Sequence, residues 1–542
     1  MDEFQSRRSV VFGTAGMVAA TQPLAVQAGL RILDKGGNAA DAAVAVAACL
    51  NVTEPTSTGI GGDMFCLYYN AQNKTVQGLN ASGKSPNGLS LEVLRKAGIT
   101  DTIPTDSVHS VTVPGAAAGW EDTLKHFGSG RISLSDALSS AIDLAEQGFP
   151  ISQVAADMWK RTEAKIRTVS PNSNDFSNAP IEAGAIVKLP GLARTLRLIA
   201  EHSSSAFYKG PLAKAIVAEV ESRGGLLSLQ DMADHTSVLT ESISMEYQGT
   251  LLHEHAPNGQ GMVALIALGI IKMLEKCGRI PPISSMTHNS PQYLHIIIEC
   301  LRIAFVDGFQ HIADPDLNPA PISKLLSEEY LNSRSHVFDP EKASLGITKG
   351  IPPADTVYLS VVDSDGNACS LVNSVYTSFG SGIIVPGTGI ALQSRGANFS
   401  LLDGHPNAAG PSKRPYHTII PAMLTEKVTG DLIMSYGVMG GFMQPQGHLQ
   451  VLLNVLNFGM NPQQALDAPR ICLIPDKQLV MLEDGISNHT AVELTRLGHT
   501  VQPAIGNARS IFGRGQIIKI GPHGVRMAGS DPRADGHAAP QL

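Results

Sequence analysis

The segment Asp355-Thr-Val-Tyr-Leu-Ser-Val-Val-Asp-Ser-Asp-Gly-Asn367 marks an abrupt change of pattern in the chain. Residues 357–362 are mostly apolar and predict a strand. Residues 363–367 predict a turn, with a glycine at a position that tolerates positive φ. Residues 368–376 predict the returning strand. The segment therefore predicts a β-hairpin whose first strand starts at Thr356.

Upstream of this hairpin the sequence favours helices. Residues 22–52 predict a helical hairpin, and residues 64–69 form an apolar run typical of a buried strand. Most of residues 115–300 predicts helices. Residues 308–355 are polar and rich in proline, so they predict a surface segment or linker.

Downstream of the hairpin, strands and helices both recur. The pattern predicts strands near residues 389–393, 418–424, 431–436 and 516–520, and helices at 443–458 and 490–497. Because strands gather in one half and helices in the other, we expect layered sheets covered by helices rather than alternating βαβ units.

The bulk composition fits a globular protein with a large buried interior. The chain has 542 residues, of which 43% are hydrophobic and 16% charged, so two or more core units are expected. The net charge is −8. Nucleic-acid binding needs clustered Lys and Arg, so no nucleic-acid partner is expected.

Cysteine usage and hydropathy predict a cytoplasmic protein without a membrane partner. The six cysteines form no CxxC pair and no zinc spacing, so we expect buried, reduced thiols. The N-terminus shows no secretory signal. The apolar runs at 42–50 and 262–271 are shorter than the roughly 20 residues that cross a bilayer.

Common cofactor and metal motifs are missing from the sequence. It contains no GxGxxG after a strand, no P-loop, no HExxH, no GxSxG and no EF-hand loop. No cofactor and no metal are therefore expected, and any chemistry must come from side chains and the backbone.

Four segments together resemble the gamma-glutamyltranspeptidase (glutathione hydrolase) family. They are Gly36-Gly-Asn-Ala-Ala-Asp-Ala42, the hairpin segment 355–367, Tyr436-Gly-Val-Met-Gly-Gly441 and Gly529-Ser-Asp-Pro-Arg-Ala-Asp-Gly536. No single segment is decisive, but their shared order and spacing are specific. The likeness extends from about residue 10 to the C-terminus.

The resemblance implies a fold and a maturation step. The implied fold is α+β, the four-layer αββα sandwich of N-terminal-nucleophile (Ntn) hydrolases. The implied precursor cuts itself between Asp355 and Thr356, giving a large chain 1–355 and a small chain 356–542 that stay together as one composite domain. These two chains are each other's expected partners, and the sequence leaves homo-oligomers open.

The proposed cleavage has a chemical reason. A threonine hydroxyl is a weak nucleophile and needs a base. Cutting before Thr356 frees an α-amine with a pKa of about 7.7–8, which can accept the hydroxyl proton near neutral pH. In the precursor the same nitrogen is an amide and is not basic.

The resemblance also assigns the remaining catalytic residues. Gly440 and Gly441 match the glycine pair whose N–H groups form the family's oxyanion hole, where fixed donors stabilise the developing negative charge. Ser374 matches a threonine that hydrogen-bonds the nucleophile, and it retains the hydroxyl.

The substrate-binding residues of the family are largely replaced. Ser82 stands where the family has its carboxylate-binding arginine, and Lys84 could supply a charge instead. Ala397 replaces the aspartate that holds the substrate α-amine, and Tyr376 replaces an asparagine that assists it. The segment His417-Thr418 replaces a pair of serines.

These replacements predict that a free α-amino group is poorly accommodated, since a buried ammonium needs a carboxylate. The pattern is similar to the family's glutathione hydrolase-like, oxamate amidohydrolase and cephalosporin acylase branches. Besides Lys84 and Thr418, the candidates to meet a substrate carboxylate are Arg395, Lys413, Arg414 and His417.

Three hypotheses on function remain open at this level. The first is an amidohydrolase or acyltransferase that cleaves a small-molecule amide of a carboxylate-bearing acyl group, such as γ-glutamyl, and passes it to water or an amine. The second is an oxamate or glutaryl-amide hydrolase. The third is a non-catalytic binding protein that retains the fold.

Overall fold

The computed structural model describes residues 8–344, 355–474 and 477–542. Its centre is two seven-stranded sheets in which every pairing is antiparallel. With strands numbered in chain order, the first sheet runs β21 (His537–Pro540), β2 (Met17–Ala20), β10 (Asp355–Val362), β11 (Ala368–Tyr376), β3 (Asp63–Asn70), β4 (Thr75–Ala81), β7 (Val238–Glu241). The second runs β1 (Val11–Gly13), β20 (Arg526–Ser530), β19 (Arg514–Ile520), β15 (Leu432–Met439), β14 (Ala422–Glu426), β9 (Thr250–Glu254), β8 (Ile243–Tyr247).

Seven short strands lie outside these two sheets. They form a three-stranded sheet of β16 (Ile471–Ile474), β17 (Leu479–Glu483) and β18 (Thr500–Ala504), and two pairs, β12 (Ile384–Val385) with β13 (Ile390–Ala391) and β5 (Phe149–Pro150) with β6 (Ile186–Val187).

Helices cover the outer face of each large sheet. Ten helices belong to the part of the chain before residue 234: α1 (Pro23–Asp34), α2 (Ala39–Thr53), α3 (Leu91–Lys96), α4 (Ala116–Phe127), α5 (Leu134–Gln147), α6 (Gln153–Val169), α7 (Pro190–His202), α8 (Ser205–Tyr208), α9 (Pro211–Ser222) and α10 (Leu229–Ala233). Seven follow: α11 (Gly261–Lys276), α12 (Pro291–His311), α13 (Ile322–Leu325), α14 (Glu328–Ser335), α15 (Met443–Leu456), α16 (Pro462–Asp467) and α17 (Asn488–Arg496).

The central strand β10 shows how its sequence fits between the layers. Val357, Leu359 and Val361 point into the core shared with α2, whereas Tyr358 packs with Phe65 in the core between the two sheets. Because alternate residues of a strand face opposite sides, burial on both faces requires apolar residues at nearly every position. The predicted hairpin is confirmed, and the layers form the expected α+β sandwich.

The structure corrects the predicted distribution of strands and helices. Residues 238–254, expected within a helical region, form β7, β8 and β9, and both large sheets take strands from both halves of the chain. These strands are only four or five residues long, too short for their alternation to outweigh the surrounding helical periodicity. The predicted strand at 389–393 contains only β13, and the predicted linker contains α13 and α14. Residues 345–354 of that linker lie outside the described residues.

No helix of the described residues is long and apolar enough to cross a membrane. Five of the six cysteines are buried and Cys277 is exposed; none forms a disulfide among the described residues.

Candidate active site

Thr356 is the second residue of β10 and is fully buried in the uncut chain. Asp355 pairs with Tyr376 and Val357 pairs with Asn373, so the register shifts at this point and β11 carries an extra residue opposite Thr356. Bulges of this kind re-aim side chains and are common beside active sites. Here the irregularity brings the Thr356 hydroxyl to within 3.1 Å of the Ser374 hydroxyl.

Ser374 Oγ is the meeting point of three donors. It accepts hydrogen bonds from Thr356 Oγ1 at 3.1 Å, from the Tyr376 backbone N–H at 2.9 Å and from Arg395 Nη2 at 3.1 Å. Tyr376 has a φ of +80°, a left-handed conformation that is strained for a bulky side chain. The strand end is therefore bent sharply around the hydroxyl that contacts Thr356.

Arg395 places a positive charge beside this pair. It begins the short 3₁₀ turn Arg395–Asn398, is completely buried, and donates through Nη1 to Thr418 Oγ1 at 2.7 Å. The guanidinium lies 4.5 Å from the centre of the Tyr376 ring. Burial lowers the pKa of Arg395 to about 10, although attraction to the Asp63 carboxylate opposes that shift, so the group is charged at neutral pH.

Gly440 and Gly441 connect β15 to α15 with φ values of +131° and +60°. A Cβ on Gly440 would lie 3.1 Å from the Cα of Gly513, closer than most real Cβ contacts, and the φ of +131° is itself strained for a residue with a side chain. No acceptor for the two N–H groups is present among the described residues. Two free N–H groups at a helix N-terminus suit a developing oxyanion.

Gln260 links the Gly440–Gly441 loop to Thr418. Its Nε2 donates to Thr418 O at 2.7 Å and to Gly441 O at 2.8 Å. A continuous path of hydrogen bonds thus runs from Thr356 through Ser374, Arg395, Thr418 and Gln260 to Gly441. Sequence reasoning missed Gln260, because nothing in its local pattern marks it as a bridge.

A buried Asp63–His417 pair interacts electrostatically with Arg395. His417 Nε2 lies 3.0 Å from Asp63 Oδ2, and the Ile419 N–H donates to Nδ1, so His417 is the neutral tautomer with its proton on Nε2. Burial lowers the pKa of His417 well below its usual value. Burial also raises the pKa of Asp63 to about 6, opposed by Arg395. Asp63, which follows Gly61-Gly62, was not predicted.

The other predicted cationic residues have partners of their own. Lys413 Nζ donates to Pro406 O at 2.6 Å and Ala408 O at 3.0 Å. Arg414 pairs with Asp316 at 3.0 Å, and Lys84 approaches the same carboxylate at 3.7 Å.

Ser82 is fully buried, and the hydrogen bonds described for it are to residues other than Thr356 and Ser374. Its hydroxyl donates to Asn80 Oδ1 at 2.8 Å, and its carbonyl accepts from Arg414 Nε at 3.2 Å. Of the predicted substrate-binding residues, Arg395 and Thr418 are therefore the ones joined to the hydrogen-bond path of Thr356.

The segment 529–536 supports the Gly440–Gly441 loop through a network of buried charged residues. Asp531 pairs with Arg470 and Arg533, and its carboxylate also accepts from the Gly515 N–H at 2.8 Å. Arg470 Nη1 in turn donates to Phe512 O at 2.8 Å, next to the Gly513 that packs on Gly440. This buried network fixes the surface against which the loop rests.

The segment 36–42 fixes the start of α2 under the hairpin. Asn38 caps the helix by accepting from the N–H groups of Ala40 and Asp41, completing a capping box. The Ala39 N–H donates to Asp363 Oδ2 at 3.0 Å, which ties α2 to the turn after β10.

Among the described residues, one buried cluster has residue types that could bind a metal. His295, Glu299 and His499 approach one another, but Glu299 is paired with Arg302 at 2.8 Å and His295 Nδ1 lies 2.7 Å from His499 Nε2. Glu299 also accepts from the Ser344 N–H at 2.9 Å. The Glu299 carboxylate is therefore already neutralised by an arginine and bonded to the backbone of residue 344.

Two stacked antiparallel sheets between helical layers, with a buried threonine at the start of a central strand, define an Ntn hydrolase. A model of the gamma-glutamyltranspeptidase family matches residues 25–541. The chain belongs to the gamma-glutamyltranspeptidase family.

Individual relatives extend over nearly the whole chain. The glutathione hydrolase-like YwrD proenzyme of Bacillus subtilis is 36% identical, over 97% of this chain and 99% of its own. The oxamate amidohydrolase proenzyme of Klebsiella pneumoniae is 32% identical, over 97% and 98%. A solved cephalosporin acylase from Bacillus halodurans is 41% identical with a TM-score of 0.89, covering 100% of this chain and 98% of that one.

Proposed function

We propose that this protein is a self-cleaving amidohydrolase that removes a small carboxylate-bearing acyl group, without an α-amino group, from an amide. Thr356 is the nucleophile, and cleavage of the Asp355–Thr356 bond frees the amine that serves as its base. The observation that carries the proposal is the hydrogen-bond path that joins Thr356 through Ser374 to the buried Arg395.

The reaction follows from these groups. The freed amine takes the proton of the Thr356 hydroxyl as Oγ1 attacks the amide carbon, and the Gly440 and Gly441 N–H groups stabilise the oxyanion. Collapse of this intermediate breaks the C–N bond, and the amine leaves with the proton. Water or an amine then attacks the threonyl ester and releases the acyl group.

Charge supports an acyl group with a carboxylate and no ammonium. Arg395 is a buried cation beside the nucleophile, so it attracts an anion and repels a substrate ammonium. Ala397 offers no countercharge at the position where the family holds the α-amine. Asp63, the nearby carboxylate, already accepts from His417, Gln393 and the Gly83 N–H.

The names of the relatives agree with this choice without deciding it. They include an oxamate amidohydrolase and a cephalosporin acylase as well as glutathione hydrolases. Glutathione hydrolysis is the main alternative, and it requires an α-amino group on the acyl part to be tolerated.

The test compares the wild type with Thr356→Ala and with Thr500→Ala, a control on an exposed strand residue. Gel electrophoresis and mass spectrometry should show two chains, the smaller beginning at Thr356, for the wild type and the control, and one uncut 57.1 kDa chain for Thr356→Ala. Glutaryl-p-nitroanilide should be cleaved faster than γ-glutamyl-p-nitroanilide, with oxamate as a further substrate.

Any of three results would reject the proposal. An active wild type that remains a single chain would remove Thr356 as the nucleophile. Faster cleavage of the γ-glutamyl anilide than of the glutaryl anilide would favour glutathione hydrolysis instead, and an inactive, uncut wild type would favour a binding protein.

A further inference from the structure

Two buried polar groups beside the nucleophile have unused hydrogen-bonding capacity. The Tyr376 hydroxyl and Arg395 Nε are fully buried, and neither has a partner among the described residues. Burying a donor without a partner is unfavourable, because the group gives up its hydrogen bonds to water. Native structures rarely retain such groups without a reason, and a binding site for a ligand is one such reason.

The two side chains are in contact. The Arg395 guanidinium lies over the Tyr376 ring, 4.5 Å from its centre. Tyr376 is held in its left-handed conformation with its N–H bonded to Ser374 Oγ, the same atom that accepts from Arg395 and Thr356. Arg395 Nη2 and Thr356 Oγ1 therefore share one hydrogen-bond acceptor, Ser374 Oγ, at 3.1 Å each.

At neutral pH, both groups act as hydrogen-bond donors toward a negatively charged ligand. Burial raises the pKa of the Tyr376 hydroxyl far above its usual value, although Arg395 opposes this, so the hydroxyl keeps its proton. Arg395 is charged and has no acceptor atom. An O–H and an N–H donor next to a positive charge match the two oxygens of a carboxylate.

We propose that the Tyr376 hydroxyl and Arg395 Nε together bind the carboxylate of the substrate's acyl group, which makes Tyr376 a specificity-determining residue. This inference rests on the proposed function and names its recognition site. It places a cationic, donor-only surface where Ala397 and Tyr376 have replaced the polar residues of the family pattern.

The test uses Tyr376→Phe, with Tyr293→Phe as the matched control. Tyr293 is another buried tyrosine whose hydroxyl has no partner among the described residues, and it lies on α12, in the core behind the second sheet. The substrates are the oxalyl, succinyl and glutaryl p-nitroanilides, each paired with the uncharged acetyl, butyryl or pentanoyl p-nitroanilide of equal carbon number.

We expect Tyr376→Phe to lower kcat/KM at least fivefold for a carboxylated substrate and to leave that of its uncharged partner within twofold. Tyr293→Phe should change neither. Both variants should be at least as stable as the wild type toward urea, since each loses an unpaired buried hydroxyl. If Tyr376→Phe fails to mature, competitive inhibition of the wild type is the second measurement: glutarate should inhibit at least fivefold more strongly than pentanoate, and equal inhibition by the two would reject the carboxylate subsite.

The outcomes separate this inference from the proposed function. A wild type that cleaves none of the carboxylated anilides would reject both. A wild type that cleaves them, with Tyr376→Phe equally active or equally impaired on charged and uncharged substrates, would reject the carboxylate subsite alone.

Discussion

Ser374 shows how much of the site depends on one hydroxyl. It accepts from Thr356, from Arg395 and from the Tyr376 N–H, and so holds the threonine, the cation and the end of the strand in position. A serine suffices for this because only the oxygen is used. The role that the family pattern gives to a threonine hydroxyl stays a prediction here.

We predict that Ser374→Ala lowers kcat by about 10- to 100-fold and slows the cut before Thr356, since removing one positioned hydrogen-bond partner costs about that much. Ser370→Ala is the matched control. Ser370 lies on the same strand, is equally buried, and bonds to Tyr358 at 2.8 Å rather than to Thr356. Steady-state kinetics and a time course of processing on gels would measure both effects. Equal losses in the two variants would indicate a general packing effect instead.

At the scale of elements, the turn from β15 into α15 combines a close approach with a special backbone. Gly440 has a φ of +131°, and a Cβ there would lie 3.1 Å from the Cα of Gly513. Gly437, three residues earlier, faces the Tyr358 ring, where an added Cβ would lie 2.5 Å away. Gly437 is thus required by a contact between the two sheets, and Gly440 by the backbone conformation of the turn.

We predict that Gly440→Ala lowers kcat by about 100-fold because the N–H groups shift away from the oxyanion position. Gly459→Ala is the control, because Gly459 also has a positive φ, +64°, but has open space around it. It should cost about 1 kcal/mol of stability and leave kcat unchanged. Kinetics at saturating substrate and urea unfolding distinguish the two. An unchanged kcat in Gly440→Ala would remove this loop from the oxyanion hole.

Over the whole molecule, the segment 529–536 joins distant parts of the chain through buried charge. Asp531 neutralises Arg470 and Arg533, and Glu483 pairs with Arg533 as well. Burial raises the pKa of Asp531, but attraction to Arg470 and Arg533 outweighs it and holds the pKa at about 2. The carboxylate is therefore ionised in the folded protein down to acidic pH.

We predict that Asp531→Asn lowers the free energy of unfolding by about 3–5 kcal/mol at pH 7, because the buried Arg470 loses its carboxylate partner and Arg533 keeps only Glu483. The folded pKa lies below the unfolded value of about 3.9. The contribution is therefore complete above about pH 5 and is lost as the pH falls toward 2. Urea unfolding at several pH values should show the gap between variant and wild type narrowing on acidification.

Asp431→Asn is the control for this prediction. Asp431 pairs with Lys74 at 2.8 Å on the surface, with both side chains substantially exposed, so the substitution should change stability by less than about 1 kcal/mol. A similarly small effect of Asp531→Asn would show that the buried network is not a major source of stability.

Local sequence patterns predicted more of the fold than of the substrate site. The hairpin at Thr356, the helical pair α1–α2 and the helix α15 follow from short-range periodicity and turn residues, and all were predicted. The strands β7 to β9 were missed, because short strands at the end of a sheet owe their conformation to neighbours that are distant in sequence.

The sequence by itself determined the family, the hairpin and the threonine proposed as nucleophile, because these depend on residue order within short segments. Only the tertiary structure decided which cation reaches that threonine. The sequence does not distinguish between Arg395, Lys413 and Arg414 as candidates. In the structure, Arg395 bonds to Ser374, whereas Lys413 and Arg414 bond to carbonyls and to Asp316. The reason is physical: the partners of a buried charge are set by packing across sheets, which no local pattern encodes.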